Sequence, residues 1–123
     1  MEKTIFVVDD NKMNLVVIKD ALKDHFKVTT IPSAEKMFMM LEKLNPDLIL
    51  LDIFMPEMDG FEAARSLRSS SSYAKIPVIF LTSTIDDSVE ERARELGIPE
   101  ILTKPFEKST LLEKINKHLD GNS

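Results

Sequence analysis

Short apolar runs alternate along this chain with stretches whose apolar residues fall three and four positions apart, and the alternation occurs five times. Ile5–Val8, Leu48–Leu51 and Val78–Leu81 are unbroken apolar runs, the pattern of strands buried on both faces of a parallel sheet. Lys27–Ile31 and Ile101–Thr103 complete a set of five strands. Between the first two, Met13, Val17 and Ala21 share a helical face with Val16 and Ile18 beside it, and Asp10 or Asn11 can cap that helix. Ser33 caps a second helix carrying Ala34, Met37, Phe38, Leu41 and Leu44, which Asn45-Pro46 ends. Met37, Met39 and Met40 read as a core stripe with exposed neighbours, not as a cofactor site.

Asp59 and Glu62 have the spacing of a capping box ahead of the stripe Phe61, Ala64, Leu67, and a polar linker follows at 69–72. Pro77 opens the fourth strand, where a missing N–H is tolerated. Val89, Ala93 and Leu96 mark a fourth helix that Gly97 stops, with Asp86, Asp87, Glu90 and Glu91 as its solvated start. Leu111, Leu112, Ile115 and Leu119 form a last amphipathic helix ending near Gly121. His25 and His118, both near helix ends, are expected to face solvent. Five strand–helix units with right-handed crossovers predict an α/β fold: a doubly wound five-stranded parallel sheet, order 2-1-3-4-5, with five helices in a single domain over 1–123.

Composition excludes several function classes. With 43% hydrophobic and 30% charged residues, the chain can build one core and is not disordered. It has no cysteine, which rules out thiolate chemistry and suits a reducing cytoplasm. The apolar run near the start is too short for a signal-peptide core or a membrane span. A net charge of −5 is poorly suited to holding a nucleic-acid backbone.

In a doubly wound sheet, ligands bind beyond the carboxyl ends of the strands. The residues there are Asp9 and Asp10, then Asp52, then Thr82-Ser83, then Lys104-Pro105. Carboxylates drawn together repel one another, and hard oxygen ligands suit Mg²⁺ as the offsetting charge. Asp9, Asp10 and Asp52, with a backbone carbonyl near Phe54, are the candidate ligands. An Asp52 oxygen could then act as nucleophile toward a phosphoryl group, with Lys104 as a point charge and Thr82 as a hydroxyl donor. Taken alone, Asp9-Asp10 fits a helix N-terminus equally well, Thr82 a strand-end hydroxyl, and Lys104 a structural ion pair.

The segments Val7-Val8-Asp9-Asp10-Asn11, Leu51 to Gly60, Leu81-Thr82-Ser83 and Lys104-Pro105-Phe106 resemble, at the family's usual spacings, the receiver domains of two-component response regulators. The likeness runs from Ile5 to about Leu119 and implies a flavodoxin-like fold. It implies that Asp52 accepts a phosphoryl group from a phosphohistidine on a sensor histidine kinase or a histidine phosphotransfer protein. By the same match, Asp9, Asp10, Asp52 and the Phe54 carbonyl bind Mg²⁺, Thr82 moves toward the phosphate, and Lys104 bonds it and precedes a cis proline. A change of binding to a downstream protein would be the output: a free single-domain regulator would dock it through the last two helices and fifth strand, and a receiver cut from a hybrid kinase or longer regulator is the equal alternative.

Two positions depart from the common pattern. Ile101 stands where many receivers carry an aromatic ring, which implies weaker or different coupling to the output. Phe54, in a position that influences water attack together with Thr84, implies slow self-dephosphorylation. The reaction is expected once per signal on the protein itself, so the chain is not read as a turnover enzyme. The competing readings are a non-phosphorylated receiver-like scaffold and an aspartyl-nucleophile phosphatase. The latter usually needs a second Asp where Phe54 stands, and a larger body.

Overall fold

A computed structural model describes residues 2–120, with the Asp120 side chain left aside. The elements run β1 Thr4–Val8, α1 Lys12–Leu22, β2 Lys27–Ile31, α2 Ala34–Leu41, β3 Leu48–Asp52, α3 Gly60–Ser69, β4 Val78–Thr82, α4 Asp87–Glu95, β5 Glu100–Thr103 and α5 Lys108–Asp120. All strand pairs are parallel and the order is β2-β1-β3-β4-β5, as the alternation predicts.

Side chains alternate across a strand, so each apolar run feeds two cores. Phe6, Val8, Ile49, Leu51, Val78 and Phe80 face one side with Met37, Phe61, Leu67 and Val89, which places α2, α3 and α4 there. Ile5, Val7, Leu48, Leu50, Ile79 and Leu81 face the other with Leu15, Ile18, Leu22, Leu111 and Ile115, which places α1 and α5 there. Every residue of β3 and β4 is buried.

The helix starts obey their caps. Asn11, rather than Asp10, accepts from the Asn14 N–H at 3.0 Å. Ser33 caps α2 and Asp86 caps α4. Asp59 and Glu62 form the reciprocal capping box of α3. Gly97 takes a left-handed φ of 68° just past α4, where a side chain would be strained.

Four details differ from the sequence reading. The buried stripe of α1 is Leu15, Ile18 and Leu22, whereas Met13 and Val17 are exposed, as is Val16. Both stripes satisfy helical spacing, and packing on the sheet selects one. Helix α2 stops at Leu41, and Leu44 is exposed in the turn that follows. Ser69 belongs to α3, not to the linker. His118 is half-buried, its Nε2 3.1 Å from Glu100 Oε1, because α5 lies against β5. The expected helix end at Gly121 lies outside the described residues.

Candidate functional site at the strand ends

Neighbouring strands β1 and β3 pair Val8 with Leu51, so their next residues, Asp9 and Asp52, emerge side by side. With Asp10 they place one carboxylate oxygen each within 4.8 Å of the others. Asp9 and Asp52 are buried and Asp10 is exposed. From just past the end of β5, Lys104 reaches in and donates to Asp9 Oδ2 at 2.8 Å and to Asp52 Oδ1 at 3.0 Å. The Lys104-Pro105 bond is cis.

Burial pushes the Asp52 carboxyl up to about 6, and the Asp9 charge beside it pushes the same way, partly offset by Lys104. Burial alone would lower the Lys104 ammonium, but its hydrogen bonds to Asp9 and Asp52 outweigh that and hold it above the ordinary lysine value. One ammonium against three carboxylates leaves an excess of negative charge. Clustered, all-oxygen donors with such an excess fit a hard divalent cation that keeps some of its waters.

Thr82 is fully buried at the end of β4. Its hydroxyl donates to the Thr84 carbonyl at 2.8 Å and accepts from the Thr84 N–H at 3.1 Å. The hydroxyl proton is therefore committed to its own turn, not to the carboxylates. Phe54 lies in the turn after Asp52 and is 54% exposed, its ring edge-on to Phe61. Phe61 in turn meets Phe80 edge-on, and the Arg92 guanidinium of α4 sits 3.8 Å above its ring. Ile101 is half-buried against the α4 side of the core. The strand-end residues Asp9, Asp10, Asp52 and Lys104 thus converge, whereas Thr82 is buried at the end of β4 with its hydroxyl turned to Thr84, and the Phe54 ring is exposed in the turn after Asp52.

Sequence reading passed over two contributors. Gly60 lets α3 approach β3, and Asn14 donates its amide to Asp9 Oδ2 at 3.1 Å. The capping-box spacing marks Gly60 as a helix start, but nothing local marks a close approach.

Residues 5–116 match the response regulator receiver domain family. The chain belongs to that family. As a receiver it is a component of two-component phosphorelay signalling, and receivers act as signalling switches. It is similar to a probable cyclic di-GMP phosphodiesterase of Vibrio cholerae serotype O1, 32% identical over 96% of the chain and 27% of that relative. It is 29% identical to the polar-differentiation response regulator DivK of Brucella ovis, over 97% of the chain and 98% of DivK. The chain thus spans a small part of the first relative and nearly all of the second.

Among solved structures, the chemotaxis protein CheY4 of Vibrio cholerae superposes with a TM-score of 0.90 at 26% identity, covering 95% of this receiver and 98% of CheY4. The receiver domain of a sensor histidine kinase from Pseudomonas aeruginosa, with a magnesium ion coordinated in its active-site cleft, superposes with a TM-score of 0.88 at 26% identity over 98% of this chain and 99% of that one. Among the described residues, no helix is long and apolar enough to cross a membrane.

Proposed function

We propose that this receiver, read as one domain, accepts a phosphoryl group on Asp52 from a phosphohistidine of a sensor kinase or phosphotransfer protein. The observation that carries this is the buried Asp52 carboxylate, bonded at 3.0 Å to Lys104 and set among Asp9 and Asp10 at the open end of the sheet. An Asp52 oxygen attacks the phosphorus, the P–N bond breaks, and the imidazole leaves with the electron pair and takes up a proton from solvent. Asp9, Asp10, Asp52 and the Phe54 carbonyl would hold Mg²⁺, whose charge offsets that of the phosphoryl oxygens. The chain's own task is to orient Asp52 and present Lys104 to the transferred group.

The new phosphoryl oxygens compete with Asp9 and Asp52 for Lys104 and with the Thr84 carbonyl for the Thr82 hydroxyl. Rotation of that hydroxyl releases the turn leading into α4. With Ile101 in place of an aromatic rotor, the change passes on through packing, and partner binding by α4, β5 and α5 is the output. The reaction occurs once per signal, so the protein is a switch and not a turnover enzyme, and its site of action is the cytoplasm.

Incubation with acetyl phosphate and Mg²⁺, read by intact mass, tests this proposal. Wild type gains the mass of one phosphate and Asp52→Asn does not. Equal labelling of both, or labelling of neither, refutes it.

A further inference from the structure

Helices α1 and α3 begin beyond adjacent strands, and both carry a side-chain cap followed three residues later by a polar side chain. In α3 that third residue is Glu62, which reaches back to accept the Asp59 N–H at 3.3 Å. In α1 it is Asn14, and the cap's own N–H is used differently: Asn11 N donates to Asp9 Oδ1 at 2.9 Å. Asn14 is then free to lean back over the strand end, the direction in which helical side chains point. Its amide nitrogen donates to Asp9 Oδ2 at 3.1 Å. An acid here, as in α3, would add a further negative charge to the carboxylate cluster. An amide adds a donor instead.

Asp9 Oδ2 therefore accepts from two side chains, Asn14 and Lys104, while Oδ1 is held by the backbone. The two side-chain donors are not equivalent. Lys104 also bonds Asp52 and is the charge on which phosphoryl capture draws. Asn14 is neutral, half-buried and pinned through its own N–H to the Asn11 cap at 3.0 Å.

We propose that Asn14 is a positioning residue of the cation site: its amide holds the Asp9 carboxylate from the α1 side, so Lys104 can leave for a phosphoryl group without releasing Asp9. This rests on the reading of Asp9 as part of the Mg²⁺ site. Partners of a ligating carboxylate commonly change metal affinity by about tenfold to a hundredfold when removed.

The test is a Mg²⁺ titration followed by backbone amide chemical shifts, which reads weak binding directly and needs no phosphodonor. Wild type, Asn14→Leu, Asp9→Asn and the double variant are compared, with Asn14→Ala as a smaller replacement should leucine disturb α1. Thermal unfolding without metal checks that each is folded. The expected result is that Asn14→Leu weakens Mg²⁺ binding about tenfold or more in the wild-type background and has no further effect in Asp9→Asn. A loss in both backgrounds would mean that Asn14 acts through the fold and not through Asp9, and overturns the proposal. So does affinity within about twofold of wild type, which lies well below the loss such partners produce. Failure of the wild type itself to bind Mg²⁺ removes the metal reading and this one together, whereas normal binding with an indifferent Asn14 removes this one alone.

Discussion

A Cβ placed on Gly60 would lie 2.5 Å from the carbonyl oxygen of Asp52. It would also meet Ile53 Cα at 2.7 Å, so the obstruction is backbone and cannot swing aside. The first turn of α3 is drawn against the end of β3, and the Gly60 N–H donates to the Ile53 carbonyl at 2.6 Å. The backbone that carries Asp52 is positioned by this contact.

Gly60→Ala therefore displaces either α3 or the acceptor. The expected cost is about 1–3 kcal/mol, typical of overpacking, read by denaturant unfolding. Labelling of Asp52 by acetyl phosphate slows in the same variant. Wild-type stability together with wild-type labelling would contradict the tight approach.

Asp52 links stability to pH. Its carboxyl is pushed up to about 6 in the folded protein, first by burial and then by Asp9, against an ordinary value of 3.8. The folded state thus binds this proton more tightly than the unfolded state does. That stabilising contribution is complete below pH 3.8 and is lost as pH rises through about 6. At neutral pH the ionised group costs up to about 3 kcal/mol, less whatever solvent at the cleft mouth screens. In metal-free buffer, Asp52→Asn is expected to raise the melting temperature at neutral pH and to flatten its dependence between those two pH values. A variant less stable than wild type at neutral pH would show that the Lys104 pairing outweighs the burial cost.

Phe54 is expected to lengthen the lifetime of the phosphorylated state. Its exposed ring offers no group to orient water and stands beside the acceptor turn. Phosphorylated wild type is expected to lose its label slowly, and Phe54→Asn to lose it several-fold faster. Phe54→Ala separates shielding from water orientation, because it removes the ring without adding a polar group. Decay measured by intact mass over time decides this, and equal rates in wild type and Phe54→Asn would refute the role.

A phosphohistidine can reach Asp52 only if its carrier touches the rim of the cleft. Part of that rim is an apolar groove of about 350 Å³ lined by Val17, Ile18, Ser83, Lys104, Pro105 and Phe106. Val17 is 56% exposed, so a charge there is tolerated by the fold, within about 0.5 kcal/mol. Val17→Glu is expected to slow transfer from a phosphorylated histidine phosphotransfer protein while labelling by acetyl phosphate is unchanged. Equal slowing with both donors would place the effect in the site and not in docking.

The order of the elements, the sheet topology and the strand-end positions of Asp9, Asp52, Thr82 and Lys104 were legible in the chain itself. Strand and helix spacing are local properties, and the crossover rule leaves few ways to assemble alternating units. Local spacing is degenerate where one helix carries two apolar stripes, and only packing on β1 and β2 chose Leu15, Ile18 and Leu22 over Met13 and Val17. It is silent on contacts between distant segments. The Glu100 carboxylate holding His118, the amide of Asn14 on Asp9 and the closeness of Gly60 to Asp52 exist because layers are pressed together, and that pressing depends on the whole core at once.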